Sequence, residues 1–287
     1  MFADDTNLFL SHKNIDTLFT NTNAELHKIA NWFKSNKLSL NIKKTKWSLF
    51  HRSAKKRFLP ESLPKLYIDN INIQRDRVTK FLGVYVDENL SWKYHIDTIS
   101  NKVSKSIGIL YKAREILDKR SLKQLYFAFV NSYINYANIV WASTSKSKLE
   151  RIYRQQKHSA RLINFKDRYT HAKPLLEDMK ALNVYELNVF NILCFMYKCR
   201  YNLSPYVFRD IYKLKPINKY TLRRNQSLLE PKCRTNFDQF SITYRGPYLW
   251  NKIVLGNFQF SDEPSLPFFR SSLKKLIFSL ENIVTYF

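Results

Sequence analysis

From Trp92 onward the apolar residues fall on one helix face. Trp92, Ile96, Ile99, Val103, Ile107, Leu110, Ala113 and Leu117 return every three or four positions, a period that only packed helices satisfy. Leu125, Phe129, Tyr133, Tyr136 and Val140 continue it, with Ser121 expected as the cap of that helix. A third helix over 149–163 is basic along its outward sides. Further helical pieces are predicted near 175–179, 184–201 and 205–212, then an extended, proline-punctuated stretch over 215–245, and a last helix over 265–284. Tyr126, Phe127, Phe129, Tyr133, Tyr136 and Trp141 could stack on bases, but at helical spacing they are expected in the core.

The first ninety residues follow another rule. A short strand is expected over 6–11, then a helix over 14–35 carrying Ile15, Leu18, Phe19, Leu26, Ile29, Ala30 and Phe33. Short apolar runs at 47–50, 66–68, 71–73 and 81–86 read as strands, with Asp69-Asn70 as a tight hairpin turn between the second and third. The expected class is α+β, mainly α: a small antiparallel sheet plus a helix, followed by helices. A long stretch free of charge, 126–145, holds Asn131, Ser132, Asn135, Asn138, Ser143 and Ser145, so it reads as a buried helix rather than a membrane span.

Charge narrows the partner. The 287 residues carry 48 Lys and Arg against 23 Asp and Glu, a net charge of +25, which fits a polyanion. Between Lys28 and Arg57 there is no acid, and Lys28, Lys34, Lys37, Lys43, Lys44, Lys46, Arg52, Lys55, Lys56 and Arg57 follow one another. The 4 glycines make neither G-x-G-x-x-G nor a Walker loop, so phosphate must be met by side chains or metal. Cys194, Cys199 and Cys233 form no C-x-x-C pair, and the six histidines show no metal-ligand spacing, which points to a reducing compartment. The opening Met1-Phe2-Ala3-Asp4-Asp5 is unlike a signal peptide, and no export is expected. Lys105, Lys112 and Lys119 recur every seven residues opposite the apolar face, roughly 10 Å apart along a helix, a spacing that suits the phosphates of a duplex. An ordinary solvated face reads the same stripe.

Asp4 and Asp5 could do chemistry. Adjacent carboxylates at a hairpin tip can both reach a divalent cation, because a turn frees them from strand alternation, and metal-bound carboxylates are what nucleotidyl transfer uses. A solvated turn is the plainer reading of the dipeptide alone. Order adds to it. Phe2-Ala3-Asp4-Asp5 is followed by Leu38-Ser39-Leu40-Asn41-Ile42-Lys43-Lys44-Thr45-Lys46, Phe81-Leu82-Gly83-Val84-Tyr85-Val86-Asp87 and Leu90-Ser91-Trp92-Lys93-Tyr94-His95-Ile96. Later come Gln124-Leu125-Tyr126, Tyr136-Ala137-Asn138-Ile139-Val140-Trp141, Arg234-Thr235 and Tyr244-Arg245-Gly246-Pro247-Tyr248-Leu249-Trp250-Asn251. Over essentially the whole chain this series resembles the reverse transcriptases of non-LTR, jockey-like retrotransposons.

The resemblance implies an RNA-directed DNA polymerase, a nucleotidyltransferase. It makes 1–90 the C-terminal part of the palm, 91–165 a helical thumb and 166–287 the C-terminal region. Asp4 and Asp5 become the catalytic pair and the Mg2+ ligands, and Lys44 the lysine that neutralises or protonates departing pyrophosphate. Lys43, Lys46 and Gly83 become contacts to an RNA template and DNA primer or their duplex, to which the lysine spacing, read without the family, adds Lys105 and Lys112; no membrane partner and a nuclear location are expected. A solvated lysine in a basic run reads Lys44 as well, and a strand bulge reads Gly83. A palm pair lies between two strands, and no strand fits before Asp4. A third carboxylate and the fingers are also expected to be missing, so the isolated chain is expected to be inactive. Three readings follow: a fragment of a retrotransposon polymerase, a non-catalytic basic nucleic-acid-binding protein, and a piece that completes a polymerase in trans.

Overall fold

The computed structural model describes residues 6–51, 59–60, 62–214, 227–257 and 265–280. The chain divides into two compact units, Met1–Tyr94 and His95–Phe287.

In the first unit, helix α1 (Ile15–Ser35) starts where the Asn14 side chain accepts the Thr17 N–H at 3.0 Å. It stops where Lys37 turns left-handed (φ 56°), with Lys37 N–H donating to Lys34 O and Leu38 N–H to Phe33 O. Its inward side buries Phe19 and Ala30 against Leu66, Ile68 and Ile73, with Ile15, Leu26, Leu40, Ile42, Trp47 and Leu63 packed around them. The strands are short: β1 (Lys46–Trp47), β2 (Tyr67–Ile68), β3 (Ile71–Asn72), β4 (Gln74–Arg75), β5 (Val78–Phe81) and β6 (Val84–Asp87). Among the described residues β2–β3 and β5–β6 pair antiparallel and β1–β4 pair parallel. Asn23 ties α1 to this layer, donating to Lys65 O at 3.2 Å and accepting the Tyr67 N–H at 3.0 Å.

Helix α2 (Lys93–Ala113) leads into the second unit, followed by α3 (Lys119–Tyr126), a π-helical turn (Phe127–Asn131), α4 (Ser132–Asn135) and α5 (Asn138–Trp141). Then come α6 (Lys146–Ile163), α7 (Ala172–Asp178), α8 (Val184–Arg200), a 3-10 turn (Tyr206–Ile211), α9 (Asn236–Gln239), α10 (Ile242–Leu249), a second π-turn (Trp250–Val254), α11 (Leu255–Asn257) and α12 (Leu266–Ser279). Helix α8 is apolar nearly all round, and α4, α5, α6, α10 and α12 pack on it. Its entry is fixed by polar bonds. Asn183 and Glu186 form a capping box, and the buried Gln156 accepts the Val184 N–H at 2.7 Å while donating to the Tyr126 hydroxyl at 3.1 Å. Burial pushes the Tyr126 phenol up to about 12. Helix α10 reaches α8 through Gly246, where an added Cβ would lie 2.5 Å from the Met196 sulfur. Asn251 then clamps the chain at Leu228, accepting its N–H at 2.7 Å and donating to its carbonyl at 3.0 Å.

The class is as expected, α+β and mainly helical, and the hairpin at Asp69-Asn70 forms with both residues left-handed (φ 48° and 61°). Other expectations need correction. Residues 6–12 carry no regular structure, because no strand among the described residues pairs with them. The 81–86 run is two strands joined by a turn at Leu82-Gly83. Asp118 caps α3, its carboxylate accepting the Ser121 N–H at 3.0 Å, so Ser121 is the donor rather than the cap. The helix expected through Val140 changes to π geometry at Phe127–Asn131 and breaks at left-handed Ala137. That shift leaves Tyr126 and Trp141 buried but exposes Phe129, Tyr133 and Tyr136. Of the 215–245 stretch, residues 215–226 lie outside the described residues, and the Ser241 cap starts a helix where extended chain was expected. No helix among the described residues is long and apolar enough to cross a membrane.

Two outcomes follow from this packing. Gly246→Ala is expected to destabilise the chain by about 1–3 kcal/mol, and in a denaturation cycle with Met196→Ala the double variant should lose less than the sum of the singles. His95, buried against Trp141 at 5.6 Å, is held down to about 4 by desolvation, with Lys102 adding to the shift. The unfolded chain takes up that proton near 6.5, so this contribution is complete above pH 6.5 and falls as the pH drops, by up to about 1.4 kcal/mol per pH unit. Urea midpoints should show His95→Phe keeping stability that the parent chain loses between pH 6.5 and 5.

Candidate nucleic-acid interface

The residues singled out in the first unit separate into four groups. Asp4 and Asp5 lie outside the described residues. The Asn41-x-x-Lys-Thr segment is a closed turn: the Lys44 N–H donates to both Asn41 O and Asn41 Oδ1, at 3.1 and 3.2 Å, and the Thr45 N–H and hydroxyl both return to Asn41 O. Asparagine and threonine are thereby consumed in holding the turn, and the side chains of Lys43 and Lys44 stand exposed at its surface. Lys46, at the start of β1, is tied instead to Asp76, Nζ to Oδ2 at 3.0 Å, and that hydrogen bond holds the Asp76 carboxyl below the usual carboxylate range.

Gly83 sits in the two-residue turn between β5 and β6, with Leu82 at φ 44° and Gly83 at φ 80°. A hairpin turn with both central residues left-handed selects glycine for backbone reasons. Neither a bulge nor a ligand is needed to explain it. Asp87, at the end of β6, was not singled out in the sequence. Its carboxylate accepts the N–H groups of Asn89, Ser91 and Trp92 and the Ser91 hydroxyl at 2.9–3.3 Å, so it aims the chain into α2. An acid directly after an apolar strand run and just before Ser91 was the available signal.

In the second unit α2 buries His95, Ile96, Ile99, Val103 and Leu110 and leaves Lys102, Lys105 and Lys112 exposed. Lys119 does not extend this row. It lies on α3 and pairs with Asp178 at 2.6 Å. Two features of the α2 surface were missed from sequence. Lys102 stands 5.3 Å over the Tyr133 ring, which is 37% exposed. Gly108, between Lys105 and Lys112, has nothing within 4 Å of where a Cβ would be, so the helix is bare there. Polar bonds join α6 to α2: Arg151 donates to Asn101 at 3.1 Å, and Gln155 to Ser100 O and the Ser104 hydroxyl at 2.9 and 2.6 Å. They bring the exposed Lys148, Arg151 and Arg154 of α6 beside α2. Arg154 is partly balanced by Glu150.

Over 126 residues, 43% of its length, the chain is 24% identical to a probable RNA-directed DNA polymerase from transposon X-element of Drosophila melanogaster. It is distantly similar to a transposon polymerase. The match spans 14% of that polymerase's length. No protein-family model matches the chain, and no solved structure gives a significant match.

Chemically, this α2–α6 surface offers point charges, one guanidinium fixed by Asn101 and exposed rings. Groups of these kinds can meet phosphate and stack on bases. Among the described residues no three His, Cys, Asp or Glu side chains converge as a metal site. Cys194 and Cys199 are buried free thiols, and burial pushes Cys194 up to about 11.

Proposed function

We propose that the chain is part of a non-LTR retrotransposon reverse transcriptase, and that its α2–α6 surface grips the sugar–phosphate backbone of the RNA–DNA template–primer duplex. The observation that carries this is Gly108. Glycine in a helix interior costs about 1 kcal/mol relative to alanine, and here no packing neighbour requires it. Flanked by Lys105 and Lys112, a bare patch of helix lets a nucleic-acid backbone approach while the lysines meet phosphates on either side. The distant similarity to a transposon RNA-directed DNA polymerase supports the same reading.

In that reading Asp4 and Asp5 hold Mg2+ and Lys44, exposed at the tip of its turn, faces the departing pyrophosphate. In-line transfer needs both ions held in place, and this reading gives the 287 residues on their own binding without synthesis.

Equilibrium binding of an RNA–DNA duplex tests the first half. Lys105→Glu with Lys112→Glu should weaken it at least tenfold and flatten its salt slope, and Gly108→Ala should stabilise the fold by about 0.5–1 kcal/mol while weakening binding. Unchanged affinity in both variants would remove the interface. RNA-templated primer extension tests the second. No Mg2+-dependent synthesis is expected from the chain alone, and synthesis abolished by Asp4→Ala would show that it is a complete polymerase.

A further inference from the structure

A cleft of about 290 Å³ in the second unit lies apart from the residues discussed so far. Its floor is apolar, made by Leu182 and by Leu187 and Phe190 of α8, and its rim carries Lys180, Arg270 and Lys274 with Asn131 and Ser271. Phe127 completes the wall. Both Phe127 and Asn131 come from the π-turn, an irregularity often found at functional sites, which aims residues four apart into one space. No carboxylate is among these lining residues. Arg270, Lys274 and Lys180 make no ion pair with a described acid.

Such a cluster is unfavourable by itself. Arg270 and Lys274 are like charges four apart on α12, a destabilising arrangement, and Lys123 of α3 and Lys180 add their fields. The ammonium of Lys274 shows the strain: it is held below the usual lysine range by desolvation first and then by Lys123 and Lys180. An anion in the cleft would relieve all of these terms together. The groups are also held ready. Lys180 is fixed in a left-handed turn (φ 54°) by its N–H bond to Glu177 O and by that of Ala181 to Leu176 O, and the Arg270 guanidinium lies 5.8 Å over the Phe190 ring, which leaves it less rotamer freedom to lose.

We propose that this cleft binds a single nucleotide phosphate, free or within a strand, with Arg270, Lys274 and Lys180 on the phosphate and Phe127 against the sugar or base. The charge requires an anion. The apolar floor and half-buried ring favour one that carries an organic ring over a bare oxyanion. The volume is at the lower edge of the roughly 300–1,000 Å³ of ligand sites, room for one nucleotide and not for a duplex. The site does not depend on the duplex reading, since none of its residues belongs to the α2–α6 surface.

Calorimetric titration of the full chain with adenosine monophosphate, inorganic phosphate and a trinucleotide tests it. Adenosine monophosphate should bind at one site, more tightly than phosphate. Arg270→Gln with Lys274→Gln should weaken it at least tenfold, and Lys166→Gln with Lys232→Gln, which removes the same charge at exposed positions away from the cleft lining, less than twofold. Phe127→Ala should erase the preference for the nucleotide over phosphate. The cleft double variant removes like-charge repulsion and is expected to melt no lower than the parent, so lost binding cannot be lost folding. Tighter binding of the trinucleotide than of the monophosphate assigns the site to a strand, and the reverse to a free nucleotide. Equal losses in the two double variants, or equal affinity for phosphate and the nucleotide, would overturn the proposal.

Discussion

A helix without a polar side has to be surrounded, and in the second unit that helix is α8. Its burial sets the places of the elements around it: α6 reaches it through the Gln156 amide, α10 through the bare Cα of Gly246, and α12 through Phe269 stacked 4.4 Å from Tyr197. Gln156 is the polar counterpart of that apolar constraint. Donating to Tyr126 and accepting from Val184, it satisfies groups from two other segments that would otherwise be stranded away from water, each at a cost of about 1–3 kcal/mol. The surfaces that meet solvent are consequences. Once α6 and α3 are held against the centre, the basic sides of α2, α6 and α12 have nowhere to point but outward.

What could be read from the sequence follows from what each signal physically reports. Periodicity reports burial, so α1, α2, α6 and α8 were legible to within a few residues. It does not report the hydrogen-bond step within a helix, and the π-turn at Phe127–Asn131 therefore went unseen, along with the exposure of Phe129, Tyr133 and Tyr136. Alternation of apolar residues likewise suggests strands without saying what they pair with. The 6–11 run pairs with no strand among the described residues, and the 81–86 run folded back on itself at Leu82-Gly83.

The basic residues were less legible still, because a charge in a sequence carries no sign of its neighbours. Among the described residues no acid pairs with Lys105 or Lys112, whereas Lys119 and Lys46 are partnered by Asp178 and Asp76 from distant segments. The cleft between the π-turn, the α7–α8 connection, α8 and α12 was invisible for the same reason: Lys180, Arg270 and Lys274 come from parts of the chain some ninety residues apart. Gly108 was in plain view, though only its empty surroundings distinguish it from a glycine required by packing.

The scarcity of glycine has a structural echo. Helices α1, α6, α7 and α8 all end on a left-handed residue, and these are Lys37, Phe165, Lys180 and Asn202 rather than glycine, each a conformation costing roughly 1–2 kcal/mol for a residue with a Cβ, less for asparagine. Local preference therefore argues against the turns the chain makes, and the contacts on either side of each turn must overrule it. Helix ends written this way exist only as part of the assembled unit. Cut out as peptides, the same segments would have no reason to stop where they do, so the boundaries of these helices are a property of the whole unit and are acquired when it folds.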